Sequence, residues 1–307
     1  MRTNQSQAIL DLATQIILLD TKHNAIYFQG AKLDALFSYI KIIQCAMSKT
    51  YNIEYNAQRL NEQAIEAFKY HAIAGCCIAM RHGEQESGYA AGLNDEETKI
   101  IQMRSAHNIN DLMTERSAIE FIATMFIFKY MKDKFSIEFL IESSENQRAL
   151  QPAKALAKLL ETNCKINLAL SCVNYPDNTI LPDDQLKTIL EKGTLPWQQK
   201  AIDRVCGNNT FNYITQNMSQ LFSTETLQKN QVRLKITHTQ QINAVCEMLK
   251  LAINRFGYFG FVGLDQLSRV FSSDQGLYCL SAPQTDLFKK NNLVVSDIST
   301  LGISAKL

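Results

Sequence analysis

Asn110–Leu150 reads NDLMTERSAIEFIATMFIFKYMKDKFSIEFLIESSENQRAL, and this stretch decides the fold class. A polar lead-in runs into a long apolar segment at helical spacing, which predicts a helix over 111–132. A charged break follows. Ile137, Phe139 and Ile141 then alternate with Ser136, Glu138 and Leu140, the period of a strand over 136–142. A polar turn leads to QRALQPAKALAKLLET, a second helix over 147–162 with Pro152 near its first turn, where proline is tolerated. KINLALSCV (165–173) reads as a further strand, apolar enough to be buried on both faces.

Working outward, apolar residues at helical spacing predict helices over 5–20, 31–47 and 56–70. AIAGCCIAMRH (72–82) and GYAAGL (88–93), joined by the polar HGEQES, read as a β-hairpin. On the C-terminal side, NYPDNTILPDD (174–184) holds two prolines and marks a boundary. Helices are expected over 185–193, 196–207, 210–222 and 239–256, and a strand at VRLKITH (232–238). GYFGFVG, GLYCLS and LVVSDI are short apolar pieces that the pattern leaves undecided between strands and irregular segments. The resulting expectation is an α/β protein, a three-layer α/β/α arrangement on a mixed sheet, in three regions: helical 1–55, a central α/β domain 56–180 and a largely helical 181–307.

Composition narrows the function classes. The 307 residues carry a net charge of +1, so no basic excess points to nucleic acid. The N-terminus shows no secretory signal and no segment is long enough to span a bilayer. Eight cysteines lie partly inside apolar runs and form no CxxC pair, which argues for reduced core thiols and a cytosolic compartment. Cys76 or Cys77 with His82 or His238 offers the residue types of a thiol hydrolase pair, but their apolar surroundings favour a core role. GYFGFVG lacks the spacing and the lysine of a phosphate loop.

The order helix, hairpin, helix, strand, helix, strand resembles the cytidine deaminase-like superfamily, with LMTERSAIEFIA similar to its metal-binding helix start and EFLIESSENQRA to its strand and second motif. The resemblance places Glu115 as the proton-shuttle carboxylate. It also puts Met113, Ser144 and Gln147 where that family has zinc ligands, so no zinc site is expected and the cofactor is left open. His82-Gly83-Glu84 spells HxE, but in the expected hairpin turn. The same unit also resembles part of a ribonuclease H domain, in which Glu115 and Glu142 would stand as the acids of a magnesium site. Both resemblances lead to a degenerate site. The expected function is a non-catalytic binding protein acting on an unknown protein partner or a small nucleotide-like ligand. The alternative is a divergent hydrolase or deaminase using Glu115 and Glu142 as its acid groups.

Overall fold

The computed structural model describes residues 4–23, 33–86, 110–170, 227–239, 241–242, 256–279 and 294–297. In chain order these form α1 (Gln5–His23), α2 (Leu33–Thr50), β1 (Arg59–Leu60), α3 (Glu62–Ala74), β2 (Cys76–Arg81), α4 (Glu115–Phe135), β3 (Glu138–Ser143), α5 (Gln147–Leu159), β4 (Cys164–Ile166), a 3-10 turn (Leu168–Leu170), β5 (Gln231–Thr237), β6 (Phe261–Asp265), β7 (Arg269–Ser273), β8 (Tyr278–Cys279) and β9 (Val294–Asp297). The layered α/β architecture expected from the sequence is present. Seven strands form one mixed sheet in the order β4-β3-β5-β2-β6-β7-β9, and β1 pairs with β8 in a separate ribbon.

The left half of this sheet is parallel. β4 pairs with β3, β3 with β5, and β5 with β2 in the same direction, whereas β6, β7 and β9 each run antiparallel to the preceding strand. β5 therefore sits between β2 and β3, although it follows both in sequence. The chain leaves β2, crosses to β3, moves outward to β4, and returns through β5 to fill the gap. Such a reversal of strand order opens a crevice at the carboxyl ends of the strands, the usual ligand position in open α/β sheets. The residues ending these strands at that edge are Arg81, Ser143 and Thr237.

The helix that opened the sequence reading is the centre of the core. α4 starts at Thr114, whose side chain accepts a hydrogen bond from Ser117 N, a standard N-cap that satisfies a free amide of the first turn. Fourteen of its residues are buried on all sides, so it behaves as a core helix and not as an amphipathic cover. It packs against α1, α2, α3 and α5. Phe128 lies between Phe68 of α3 (ring centroids 5.0 Å apart, near-parallel) and Phe139 of β3 (5.1 Å) and so ties helix to sheet.

Several local expectations are corrected. Cys76–Arg81 does not form one limb of a hairpin with the next apolar run: it is an interior strand between β5 and β6. Its apolar composition reflects burial on both faces, which periodicity alone does not separate from a hairpin strand. The other proposed limb, 88–93, lies outside the described residues. The strand within 165–173 is only three residues long and is an outer strand of the sheet; Ile166 and Leu168 are exposed, and a 3-10 turn follows. The helix expected from residue 56 starts at Glu62, capped by Asn61, because Arg59 and Leu60 pair with β8. Pro152 is the sixth residue of α5, past its first turn. VRLKITH is a strand as expected, and GYFGFVG, GLYCLS and LVVSDI contribute β6, β8 and β9. The boundary at 174–184 and the helices expected over 185–193, 196–207 and 210–222 lie outside the described residues, as does most of 239–256. The one sheet draws β2–β4 from residues 76–166 and β5, β6, β7 and β9 from 231–297. No helix of the described residues is long and apolar enough to cross a membrane.

Truncating the central aromatic of this stack should be costly. We expect Phe128→Ala to destabilise the protein by about 3–5 kcal/mol, read as a lowered denaturant midpoint in chemical unfolding followed by circular dichroism.

Candidate active site

Three residues converge at the carboxyl edge of the parallel strands, each from a different strand end. His82 follows β2, His238 follows β5 and Ser144 follows β3. Backbone bonds continue the sheet just far enough to fix them: His82 N donates to Thr237 O (3.0 Å) and Ser144 N to Ile236 O (3.1 Å). The two imidazoles meet edge to face with ring centroids 4.8 Å apart. The fourth member is Arg148 from the first turn of α5, which begins right after β3. It is among the largest fully buried side chains of the protein. Its Nε donates to His82 Nε2 (3.3 Å), and its second terminal nitrogen lies 3.4 Å from His238 Nδ1.

Hydrogen bonding fixes the chemistry of His82. Nδ1 lies 2.5 Å from Gly83 O, a carbonyl that can only accept, so Nδ1 carries the proton. Nε2 is then the unprotonated nitrogen, with its lone pair turned toward the Arg148 guanidinium. Burial pushes the His82 pKa well below the ordinary histidine value, and the charges of Arg148 and Arg81 push in the same direction. The hydrogen bonds and burial together hold His82 as a neutral, oriented imidazole. Arg81, the preceding residue, donates to Phe256 O and lays its guanidinium over the Tyr258 ring, 4.3 Å from its centroid.

The segment after His82 is clamped to the start of α4. Glu86 N donates to Leu112 O, Thr114 N to Glu84 O (2.8 Å), and Glu84 N to Ser117 Oγ (2.7 Å). Gly83 has no room for a side chain: a Cβ there would sit 2.3 Å from Met113 Sδ and 2.9 Å from the Phe259 ring. Gln151, one turn beyond Arg148 on α5, accepts from Met113 N (2.9 Å) and donates to Asn4 and Ser6 at the start of α1. Beside this clamp opens a cavity of about 650 Å³ whose lining includes Glu84, Glu86, Thr114, Glu115, Arg116, Glu54 and Asn56. Under its wall, Glu120 of α4 is pushed up to about 7 by burial, opposed by Arg116 and reinforced by Glu84.

The structure separates the two carboxylates named from the sequence. Glu115 opens α4 and lines the cavity. Glu142 lies on β3, accepts from Asn167 (2.8 Å) and faces the buried Lys235 at 3.8 Å. The two share no partner among the described residues. Cys76 and Cys77 are fully buried, and burial pushes both thiols up, so they are core residues. No group of three or more His, Cys, Asp or Glu placed to hold a metal occurs among the described residues.

The sequence pattern offers His82 within HxE and His238 only as a partner for Cys76 or Cys77, and it neither joins the two histidines nor marks Arg148. The missed signal was Arg-His-Gly directly after a fully apolar strand. Placing His82 at the end of a strand instead of inside a hairpin turn would have exposed it at the sheet edge.

No protein-family model matches the chain, and no curated protein matches it. Among solved structures it is similar to a mycobacterial glucosyl-3-phosphoglycerate phosphatase (14% identity, 65% of this chain and 90% of that one, TM-score 0.40). It is also similar to phosphoglycerate mutases from Bacillus anthracis (14% identity, 75% and 97%, TM-score 0.43) and Plasmodium falciparum (15% identity, 72% and 97%, TM-score 0.34). These are phosphatases and mutases, not deaminases, and the deaminase resemblance is withdrawn. The chain's own geometry agrees. Met113, at the expected metal-ligand position, is a buried residue packed on Gly83 and bridged to Gln85. Ser144, at an expected thiolate position, hydrogen-bonds His238. The likeness arose because a helix–strand–helix unit recurs in many layered α/β folds.

The depressed histidine pKa has a consequence for stability. The unfolded chain binds a proton at His82 near pH 6.5, while the native site does so only at much lower pH. His71, also lowered by burial, acts in the same sense. The two histidines therefore favour the native state above pH 6.5 and withdraw that stability as pH drops below it, while Glu120, raised to about 7, offsets part of the loss over the same range. A series of chemical unfolding curves from pH 7.5 to 5 should show this decline, and His82→Asn should make it shallower.

Proposed function

We propose that this chain is a phosphoryl-transfer enzyme of the histidine phosphatase type, with His82 as the nucleophile. The observation that carries the proposal is the fixed tautomer of His82: Nδ1–H is bound to Gly83 O and the Nε2 lone pair faces a buried guanidinium. A neutral imidazole held in one orientation is a competent nucleophile. Guanidinium groups suit the tetrahedral oxyanions of a phosphoryl group because they offer several donors in a rigid fork. Arg148 is the principal oxyanion holder in this reading, and Arg81 adds positive charge beside it. His238, 4.8 Å from His82, supplies a second polar contact.

The reaction proceeds in two displacements. Arg148 Nε releases His82 Nε2 and turns its donors to the phosphoryl oxygens, Nε2 attacks phosphorus, the ester P–O bond breaks, and the leaving oxygen takes a proton from a carboxyl group. Water then attacks phosphorus, the P–N bond breaks, inorganic phosphate leaves, and the water proton returns to the carboxylate. Glu84 and Glu115, which line the cavity, are the carboxyls proposed for this proton. Glu142 is assigned a supporting role instead, holding Lys235 against β3. The deaminase-type non-catalytic binding role is set aside, and the divergent-enzyme alternative is retained in this form.

Kinetics on an aryl phosphate test the proposal. The protein should hydrolyse it without added metal. His82→Ala should abolish turnover, and Arg148→Ala and His238→Ala should each lower kcat roughly 10²–10³-fold, the usual cost of a lost oxyanion donor. Unchanged turnover in His82→Ala would refute it.

A further inference from the structure

The second histidine is as tightly specified as the first, and the residue that specifies it is Ser144. Arginine has donors and no acceptor, so the guanidinium nitrogen 3.4 Å from His238 Nδ1 donates to it. Nδ1 therefore carries a lone pair. A doubly protonated ring would set an N–H against that guanidinium, so the ring is neutral and its proton lies on Nε2. That nitrogen is 2.9 Å from Ser144 Oγ, which accepts it. Ser144 is fully buried, and its backbone is fixed on both sides: its N donates to Ile236 O, and its carbonyl accepts from Ser143 Oγ (2.9 Å).

The polar groups thus form one directional chain. Gly83 O accepts from His82 Nδ1, His82 Nε2 accepts from Arg148 Nε, Arg148 donates to His238 Nδ1, and His238 Nε2 donates to Ser144 Oγ. The two imidazoles carry their protons on opposite nitrogens. We infer that Ser144 is a positioning residue for phosphoryl transfer. By accepting the Nε2 proton of His238 it leaves Nδ1 as the acceptor that holds Arg148, and Arg148 in turn is held against the lone pair of His82. This rests on the phosphoryl-transfer reading of the site, but its structural half is testable alone.

The experiment uses the full chain labelled with ¹⁵N-histidine, with the His82 and His238 rings assigned from His82→Asn and His238→Gln and their tautomers read from two-bond ¹⁵N–¹H correlations. In the wild type, His82 should be protonated on Nδ1 and His238 on Nε2. Ser144→Ala should shift the His238 pattern toward Nδ1–H while leaving that of His82 in place, and should lower kcat on the aryl phosphate roughly tenfold, the scale of one neutral hydrogen bond. Ser144→Thr, which keeps the hydroxyl, should restore both. Ser144→Cys, a weaker acceptor of similar size, gives the same readout if the alanine variant does not fold. A wild-type His238 protonated on Nδ1, or a ring pattern that ignores Ser144→Ala, overturns the assignment. A shifted ring pattern with unchanged kcat overturns the positioning role. Absence of any turnover in the wild type defeats the phosphoryl-transfer reading, and with it the role in transfer, and leaves the ring spectra to decide the tautomer.

Discussion

A guanidinium removed from water constrains everything around it. Arg148 is fully buried, and its donors reach the two ring nitrogens of His82 and His238. Burying a charge without hydrogen-bonding partners costs several kcal/mol, so the site must supply acceptors at fixed positions. The imidazoles supply them only if each is neutral and turned the right way. Gly83 O sets one ring and Ser144 Oγ the other. One buried cation thus dictates two tautomers, and the tautomer of His82 leaves Nε2 as its lone-pair nitrogen, the atom proposed as the nucleophile.

The fold meets this demand through the order of its strands. β5 returns between β2 and β3, so three parallel strands end side by side at one edge of the sheet. His82, His238 and Ser144 each follow one of these strands, and the short turn from β3 into α5 brings Arg148 over them. Both faces of β2 are buried, and its pairing with β5 and β6 fixes it as an interior strand. α4 sets the outer limit: its first turn clamps residues 84–86, and its aromatic face locks to the sheet through Phe128.

The layered α/β class was legible in the sequence because helix and strand periods are strong in Asn110–Leu150. α4, β3 and α5 lie where a helix, a strand and a helix are expected, but their bounds shift: α4 spans 115–135, not 111–132, because Thr114 caps it, and β3 and α5 span 138–143 and 147–159. The site was far less legible. His82, Arg148 and His238 are separated by 66 and 90 positions in sequence, and nothing local in ESSENQRAL marks Arg148 as buried. The apolar CCIAM strand fits either a hairpin or an interior strand by pattern alone, and choosing the hairpin placed His82 in a turn, where its chemistry was discounted. Glu115 and Glu142 stood out through the two family resemblances, yet a helix start such as that of Glu115 also favours a carboxylate for electrostatic reasons. The residues noted as missing zinc ligands were informative in another way: Ser144 belongs to the site as a hydroxyl, and Met113 fills the space that Gly83 leaves.

The most direct measurement is rapid acid-free quenching of the protein incubated with an aryl phosphate, followed by digestion and mass mapping of any phosphorylated residue. The account predicts one phosphoryl group on His82, formed and lost at rates compatible with turnover, and absent from His82→Asn. Phosphate found on another residue, or turnover with no phosphorylated intermediate under conditions that preserve phosphohistidine, would contradict it.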